Sequence, residues 1–425
     1  MPDPVRPTAP RTPSPGITAR VPRPGEEFQE IGHCGGQVTV TVVTDRDGRR
    51  GVSFGLQNSS PTPAAWFGVY ALPQGIPVGT IQLGGIGQPW NPAPHRTCLP
   101  VFIASDSTGL FGHSCAACET YWRSQAAGAA WPLTCPGCGY RGSTHELLTE
   151  GQRRFVAAFC EFTVDAMSSG TDGEHVIDID KIAETVQAGQ PLPAFYYTEE
   201  SQQHHYTCAA CGNADDILGR YGYCSCCGTR NDLQELTQTI ETIQQKTRER
   251  LTAKERLEAA VPDAVSAFDS TARQYAKQLA RRVPMIPARR TPLEGALYHQ
   301  VAARAEELKS WFDIDLFRGL DPDDVAFVRR MFARRHVYEH NGGEVDARYL
   351  EESGDATVKV KQRLREDPES VFRLTGLVLK MAKNLHEGFH ALFPPEAMPI
   401  RLHEEQQARL EAYRRQHTQP GPPTA

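Results

Sequence analysis

Two short stretches, Cys115-Ala116-Ala117-Cys118 and Cys135-Pro136-Gly137-Cys138, decide how the middle of this 425-residue chain folds. Sixteen residues separate them, and the pattern recurs as Cys208-Ala209-Ala210-Cys211, a gap of twelve residues, and Cys224-Ser225-Cys226-Cys227. Two thiolates separated by two residues can bind one ion from a tight turn, and two such turns supply the tetrahedral shell that zinc accepts. The sequence therefore predicts two zinc ribbons, one with Cys115, Cys118, Cys135 and Cys138 as ligands and one with Cys208, Cys211, Cys224 and Cys227.

Both predicted Zn²⁺ ions are structural. Four cysteine ligands leave no open coordination position, and each ion would hold together a module too small to bury a core of its own. Cys226 lies inside the last pair and is an alternative ligand there. Three further cysteines are unpaired in the sequence and are expected to pack in apolar surroundings, namely Cys34, Cys98 and Cys160. An alternative for two of these cysteines is a third metal site, built from His33, Cys34, His95 and Cys98.

The composition excludes several classes of protein. The chain is 40% hydrophobic and 23% charged, as is typical of a globular protein, and its length suggests about three domains. No stretch approaches the roughly 18 consecutive apolar residues of a membrane helix, and the N-terminal residues lack the apolar core of a secretion signal. Paired cysteines without that signal indicate metal ligands in a reducing compartment, so we expect a cytoplasmic protein with no membrane partner. The net charge of −6 means that any contact with nucleic acid requires a local basic patch.

The predicted fold class is a multidomain α+β protein, with an N-terminal β-rich domain that carries two zinc ribbons and a C-terminal all-α helical bundle. Strands are predicted at 37–43, 51–56, 67–70 and 99–103, where apolar residues alternate or run between turn signals. The predicted segments are a disordered tail (1–27), the β-rich domain (28–110), ribbon 1 (111–143), a helix and connector (144–204), ribbon 2 (205–231), a connecting helix (232–257), the bundle (258–393) and a charged, proline-rich tail (394–425).

The predicted bundle contains four helices, at 262–283, 292–312, 321–341 and 368–393. The third has a good start at Asp321-Pro322 and a good stop at Asn341-Gly342-Gly343. The connecting helix carries a narrow apolar seam of Leu233, Leu236, Ile240, Ile243, Thr247 and Leu251. This seam either packs on its own domain or makes a dimer contact. On the fourth helix, His386 and His390 share a face, as structural hydrogen-bonding groups or as the lining of a dimer cleft.

The end of the third helix combines arginines with histidines, in the order Arg335-His336-Val337-Tyr338-Glu339-His340. His336 and His340 are four residues apart and therefore lie on nearly the same face, and Arg335 and Glu339 can pair in the same way. Histidine exchanges protons near neutral pH. Arginine offers a permanent positive charge and a planar fork to phosphate oxygens. These residue types suit the attack of a ribose 2′-hydroxyl on the adjacent phosphate, which requires RNA as the substrate.

Over roughly residues 258–393 the chain resembles the HEPN family (higher eukaryote and prokaryote nucleotide-binding domains). The ribonuclease members of that family carry Arg, a polar residue, any three residues and then His, and residues 335–340 fit this pattern. The resemblance implies a small helical bundle that forms a homodimer, with Arg335 and His340 as the catalytic pair and His336 as the polar accessory. It also implies a metal-independent endoribonuclease, and by analogy a role in defence against phage or in toxin-like RNA cleavage.

Two functions follow as alternatives. In the first, the chain is a dimeric endoribonuclease whose zinc-ribbon region recruits or senses a target. In the second, it is a non-catalytic adaptor that engages nucleic acid or an unidentified protein partner through its ribbons, while the bundle serves only to dimerise. Arg335 and His340 exposed in a cleft favour the enzyme, whereas burial of both, or pairing with Glu339 and other acids, favours the adaptor.

Overall fold

The computed structural model describes most of the chain, and the first half of the described part is rich in short strands. The described residues are 31, 36–48, 50–58, 65–82, 91–106, 109–169, 172–190, 203–252 and 256–417, so the predicted tail at 1–27 lies outside them. The strands are β1 (Gly36–Thr44), β2 (Arg50–Asn58), β3 (Trp66–Ala71), β4 (Pro77–Ile81), β5 (Leu99–Ala104), β6 (Phe111–Ser114), β7 (Tyr121–Ser124), β8 (Leu133–Thr134), β9 (Arg141–Gly142), β10 (Gly173–Asp178), β11 (Gln203–Thr207) and β12 (Ala214–Leu218). Strands β1, β2, β3 and β5 coincide with the four predicted strands, which confirms a β-rich N-terminal region.

Two three-stranded sheets and two helices share the first core. The strand orders are β10-β1-β2 and β4-β3-β5, and the helices are α1 (Glu150–Ser168) and α2 (Ile179–Gln187). Val38, Val40 and Val42 of β1 are buried because successive side chains of a strand point to opposite faces. The turn between β3 and β4 lies directly on α1. Gly75 in this turn has φ +79°, and a Cβ atom there would be 2.5 Å from the Cα atom of Ala157, so only glycine permits this packing.

The unpaired cysteines do not share one environment. Cys160 of α1 is buried in the first core, as predicted for apolar packing. Cys98 is only partly buried and packs beside a smaller cluster around Ile81. Cys34 and His33 lie outside the described residues, so the alternative of a third metal site there stays a prediction.

The two ribbon segments are joined in one four-stranded sheet, an arrangement that the sequence did not reveal. Its order is β11-β12-β7-β6, and β12 pairs with β7 so that Asp216 is opposite Arg123. The Arg123 guanidinium also reaches Asp106, with Nη1–Oδ2 2.6 Å and with Nη2–Oδ2 2.8 Å to Asp216. All three side chains are buried. Loss of Arg123 would leave two buried carboxylates without their cation, so this triad fixes how the two ribbons pair.

The second half of the chain is helical. Its helices are α3 (Asp232–Thr252), α4 (Ala260–Arg282), α5 (Pro287–Glu294), α6 (Val301–Phe312), α7 (Pro322–His340), α8 (Ala347–Ser353), α9 (Pro368–Leu392) and α10 (Ala397–His417). Helix α4 lies at the centre and packs against α3, α7 and α9. Among the described residues, no helix has the length and apolar character needed to cross a membrane.

Two features differ from the predicted helices. The single helix predicted at 292–312 is wrong, because the chain forms α5 and α6 with a connection between them. The Asp269 carboxylate on α4 accepts hydrogen bonds from the backbone N–H groups of Tyr298 (2.5 Å) and His299 (3.3 Å), and these bonds hold the connection in place. The charged tail predicted from residue 394 contains α10, which the sequence analysis missed; residues 418–425 lie outside the described part.

The apolar seam of the connecting helix, α3, packs against other helices of the same chain. Leu236, Ile240, Ile243 and Thr247 of α3 are buried, and the three apolar side chains belong to the same core as α4 and α9. Leu251, at the far end, is 37% exposed. Of the two roles open for the seam, the structure shows packing on its own bundle.

Ribbon 2 and the bundle meet through a partly buried polar network. The N–H of Arg230 donates to Nε2 of His390 (3.2 Å), and Nδ1 of His390 bonds to the Phe393 carbonyl oxygen (3.1 Å). The Tyr275 hydroxyl is 2.7 Å from Nδ1 of His386. Burial, assisted by the Arg230 charge, lowers the pKa of His386 to about 3 and that of His390 to about 4. Both histidines therefore act as neutral structural groups.

We predict that His386 and His390 make the stability of the junction depend on pH. Both pKa values are below the ordinary value of 6.5, so the unfolded chain takes up protons first as the pH falls. This contribution is complete above pH 6.5 and is lost as the pH falls towards about 4 for His390 and about 3 for His386. His386→Gln should reduce the slope of unfolding free energy against pH by up to about 1.4 kcal/mol per pH unit.

The measurement is urea unfolding between pH 7 and pH 5. His417→Gln at the exposed end of α10 is the matched control, and its slope should equal that of the wild type. A wild-type slope for His386→Gln would contradict the role given to this imidazole.

Candidate functional site

The first four predicted ligands form a compact cluster of sulfur atoms. The Sγ atoms of Cys115 and Cys138 are 3.7 Å apart, and so are those of Cys118 and Cys135. All four Sγ atoms lie within 4.8 Å of one another. Four ligands at about 2.3 Å from a tetrahedral zinc ion would be separated by about 3.8 Å. The donor set and its size therefore fit Zn²⁺.

The second cluster has the same geometry. The Sγ distances are 3.8 Å between Cys208 and Cys227 and 3.5 Å between Cys211 and Cys224. The fourth member is Cys227, while the neighbouring Cys226 is buried outside the set of four. The two tetra-cysteine clusters are compatible with two zinc sites, and no further group of this kind occurs within the described residues.

Each of the four turns has the same backbone conformation. In each, the residue four positions after the first cysteine donates its N–H to the carbonyl oxygen of that cysteine, at 2.8 to 2.9 Å. This residue has positive φ in every case: Glu119 (58°), Gly139 (73°), Gly212 (72°) and Gly228 (78°). Glycine adopts this conformation at no steric cost. The repeated turn places both cysteines of a pair on one side, towards the centre of their cluster.

The predicted catalytic residues lie at the C-terminal end of α7. The Asp321 side chain accepts a hydrogen bond from the Asp324 N–H (2.7 Å) and starts the helix. On its inner face, Val328 and Val337 are buried in the protein, which fixes the rotation of the helix. The structure thus confirms both the start and the end predicted for this helix.

The two imidazoles of the motif are neighbours outside the core. The ring centroids of His336 and His340 are 4.7 Å apart, with His340 exposed and His336 half-buried. One and five residues correspond to about 100° and 140° around a helix, so Arg335 leaves α7 in a different direction from His336 and His340. Nη2 of Arg335 is 2.5 Å from Oε2 of Glu339, with side chains 22% and 29% exposed. The arginine is thus paired with the acid that the sequence analysis named.

The neighbouring Arg334 has a different environment. Its guanidinium lies 2.9 Å from Oε1 of Glu366 and 3.1 Å from Oδ2 of Asp355, and both carboxylates are fully buried. Its Nε atom also donates to the Tyr349 hydroxyl (3.2 Å). These contacts hold the segment that contains α8 against α7. Arg334 is therefore a structural residue, although the sequence places it in the same basic run as Arg335.

A further histidine, which the sequence analysis missed, stands close to Arg335. Burial lowers the pKa of His299, the Arg335 charge lowers it further, and the Glu339 charge opposes that effect. The backbone N–H of His299 is held by Asp269, whose Oδ2 also pairs with Nε of Arg273 (3.0 Å). No local pattern marks this group, because its members come from α4, α7 and the connection before α6.

Comparison of the chain with protein-family models, with curated proteins and with solved structures finds no match.

Neighbouring cysteines provide a test of the second cluster. Cys227→Ser should reduce the zinc content from two ions per chain to one, because it removes one of four ligands, and should make residues 203–231 easier to proteolyse. Cys226→Ser should keep two ions. Zinc is measured by elemental analysis of purified protein. Loss of an ion from the Cys226 variant, with none from the Cys227 variant, would reverse the assignment.

Two adjacent arginines should differ in their effect on stability. Arg334→Ala leaves two buried carboxylates without their cation and should reduce the free energy of unfolding by roughly 3–5 kcal/mol. Arg335→Ala breaks a partly exposed pair and should cost about 0–1 kcal/mol. Urea unfolding at neutral pH measures both. Equal losses would show that Arg335, like Arg334, is required by the fold.

Proposed function

We propose that this chain is a metal-independent endoribonuclease that cleaves RNA at the C-terminal end of α7. The observation that carries the proposal is the placement of two adjacent imidazoles, His336 and His340, outside the core, at the same helix end that carries Arg335. The buried contacts of α7 do not use these imidazoles, whereas they do use Arg334. The resemblance of residues 335–340 to the HEPN ribonuclease motif supports the same proposal.

The proposed reaction is an intramolecular transesterification. One imidazole, assigned to His340, removes the proton of the ribose 2′-hydroxyl, and that oxygen forms a bond to the adjacent phosphorus. The bond to the 5′-oxygen breaks, and a second imidazole, assigned to His336 or to its counterpart in a second copy, protonates the leaving oxygen. The products are a 2′,3′-cyclic phosphate and a 5′-hydroxyl. Arg335 stabilises the negative charge that develops on the phosphate oxygens.

The Arg335–Glu339 pair sets a condition on this reaction. The phosphate has to take the place of the Glu339 carboxylate on the guanidinium. The pair is partly exposed, and exposed pairs contribute only about 0–1 kcal/mol. An incoming phosphate can therefore replace it. In line with the family resemblance, we propose a homodimer in which two such helix ends form one cleft.

The zinc ribbons have a structural role in this proposal. Two Zn²⁺ ions, each bound by four thiolates, hold the shared ribbon sheet together, and the ribbon surface recruits or senses the target. The thiolates must remain reduced, so the proposal includes a cytoplasmic location. No chemical step passes through either ion, because the four sulfur ligands fill its coordination shell.

One observation favours a second function. The pairing of Arg335 with Glu339 is the arrangement expected of a bundle that does not cleave RNA. In that case the chain is an adaptor that engages nucleic acid or a protein partner through its ribbons, and α7 only contributes to packing.

The test is cleavage of a fluorescently labelled single-stranded RNA in the presence of EDTA. We expect His340→Ala and Arg335→Ala to reduce the rate by a factor of about 100 or more. Replacement of the ribose at the cut site by deoxyribose should abolish cleavage, and the wild-type products should carry 2′,3′-cyclic phosphate.

Arg348→Ala is the matched control, since Arg348 makes a similar exposed pair with a glutamate four residues away, Glu352. Its rate should equal that of the wild type. Equal cleavage by wild type and His340→Ala would remove His340 from the mechanism, and cleavage by neither would leave the adaptor.

A further inference from the structure

The segment 270–293 carries an unusual excess of positive charge for this chain. It contains six basic residues and no acidic residue, although the whole chain has a net charge of −6. The six residues are Arg273, Lys277, Arg281, Arg282, Arg289 and Arg290. They belong to the second half of α4 and to α5. This is the local basic patch that contact with nucleic acid requires in an acidic protein.

Most of these cations have no acid to neutralise them. Among the residues that the structure describes, no carboxylate lies at ion-pair distance from Lys277, Arg281, Arg289 or Arg290. All four are exposed. Other cations of the helical region, such as Arg318, Arg348 and Arg373, pair with an acid. What sets the segment 270–293 apart is that six basic residues occur there with no acidic residue among them.

Three of the cations lie on one line along α4. Arg273, Lys277 and Arg281 follow one another at intervals of four residues, so they occupy one face of α4, about 6 Å apart along the helix axis. The opposite face, with Tyr275 and Leu279, is buried in the bundle core. Helix α5 follows α4 and packs against it, and the Arg289 guanidinium on α5 lies 5.7 Å from the centre of the Trp311 ring. We refer to Arg273, Lys277, Arg281, Arg289 and Arg290 as the basic track.

One end of the basic track reaches the candidate site. Arg273 pairs with Asp269 (Nε–Oδ2 3.0 Å), and Asp269 holds the backbone N–H of His299. His299 is close enough to Arg335 and Glu339 for their charges to act on its imidazole. A nucleic-acid strand bound along the basic track would therefore extend to the helix end that carries Arg335.

We propose that the basic track binds the phosphate backbone of single-stranded RNA and guides the strand to the site on α7. This inference rests on the proposed function and adds to it the surface that holds the substrate. A single strand fits better than a duplex, because the attacking 2′-hydroxyl must line up with the scissile bond, and an A-form duplex holds that hydroxyl out of line. Recognition through phosphates carries no base specificity.

The experiment measures RNA binding without cleavage. The full chain with His340→Ala binds a labelled single-stranded 12-nucleotide RNA, followed by fluorescence anisotropy over a range of salt concentrations. In the track variant, Lys277→Gln, Arg281→Gln and Arg289→Gln are combined. Each phosphate contact on a single strand contributes about 0.7 to the slope of log affinity against log salt, so the slope should become shallower by about 2. If the two lines meet near 1 M salt, the affinity at 0.1 M salt falls about 100-fold.

The control combines Arg401→Gln, Arg409→Gln and Arg415→Gln on α10. It removes the same number of charges from another exposed helix and should leave affinity and slope unchanged. Equal losses in both triple variants would overturn the proposal, since they would reflect overall charge only. Binding of phosphatidylserine vesicles that needs the basic track, with no RNA binding, would also overturn it.

The two proposals can fail separately. If wild-type protein cleaves RNA through His340, while the slope is the same with and without the three track cations, the basic track is wrong and the ribonuclease stands. If RNA binding needs the basic track and wild-type protein does not cleave, the basic track stands and the ribonuclease is removed.

Discussion

The architecture depends on the confinement of eight thiol groups in two small clusters. Four sulfur atoms at 3.5–3.8 Å from their nearest partners repel one another as thiolates, and only a cation at the centre makes that separation favourable. The strands around these clusters are two to five residues long and could not bury a core alone. We therefore expect the shared sheet β11-β12-β7-β6 to depend on metal binding at the two clusters, and the buried triad of Arg123, Asp106 and Asp216 sets the pairing between the halves.

Contacts between ribbon 2 and the helices also fix the position of the bundle relative to this sheet. The turn that contains Cys224 and Cys227 is followed by Arg230, whose backbone N–H donates to His390 on α9. Helix α3 begins at Asp232, which pairs with the Arg230 side chain (2.7 Å). The Cys227 carbonyl oxygen accepts a hydrogen bond from the N–H of Glu396 (2.7 Å), just before α10. Ribbon 2 therefore anchors the beginning of α3 and the end of the helical region. The helix end that carries His340 is held relative to the ribbons through these contacts.

Sequence patterns predicted the local structure well and the long-range structure poorly. Cysteine spacing indicated both clusters, alternation indicated strands such as β1, and the Asp321 cap indicated where α7 starts. The pairing of β12 with β7 joins residues about ninety positions apart, such as Arg123 and Asp216, and nothing in either strand specifies that partner. The break between α5 and α6 depends on a carboxylate from another helix, Asp269, for the same reason. His299 was missed because its relation to Arg335 exists only once three elements have packed.

Arg334 and Arg335 are adjacent in one basic run, but their guanidinium groups lie in different environments. Arg334 lies between carboxylates that are fully buried, where the loss of either partner is costly and no ligand can compete. Arg335 faces a carboxylate that is 29% exposed, so water or a phosphate oxygen can replace that partner at little cost. Residues that must hold a fold need permanent partners, whereas a phosphate-binding group needs a partner that it can release. Under the proposed function, the exchangeable pair with Glu339 would keep the Arg335 charge neutralised until a phosphate replaces the carboxylate.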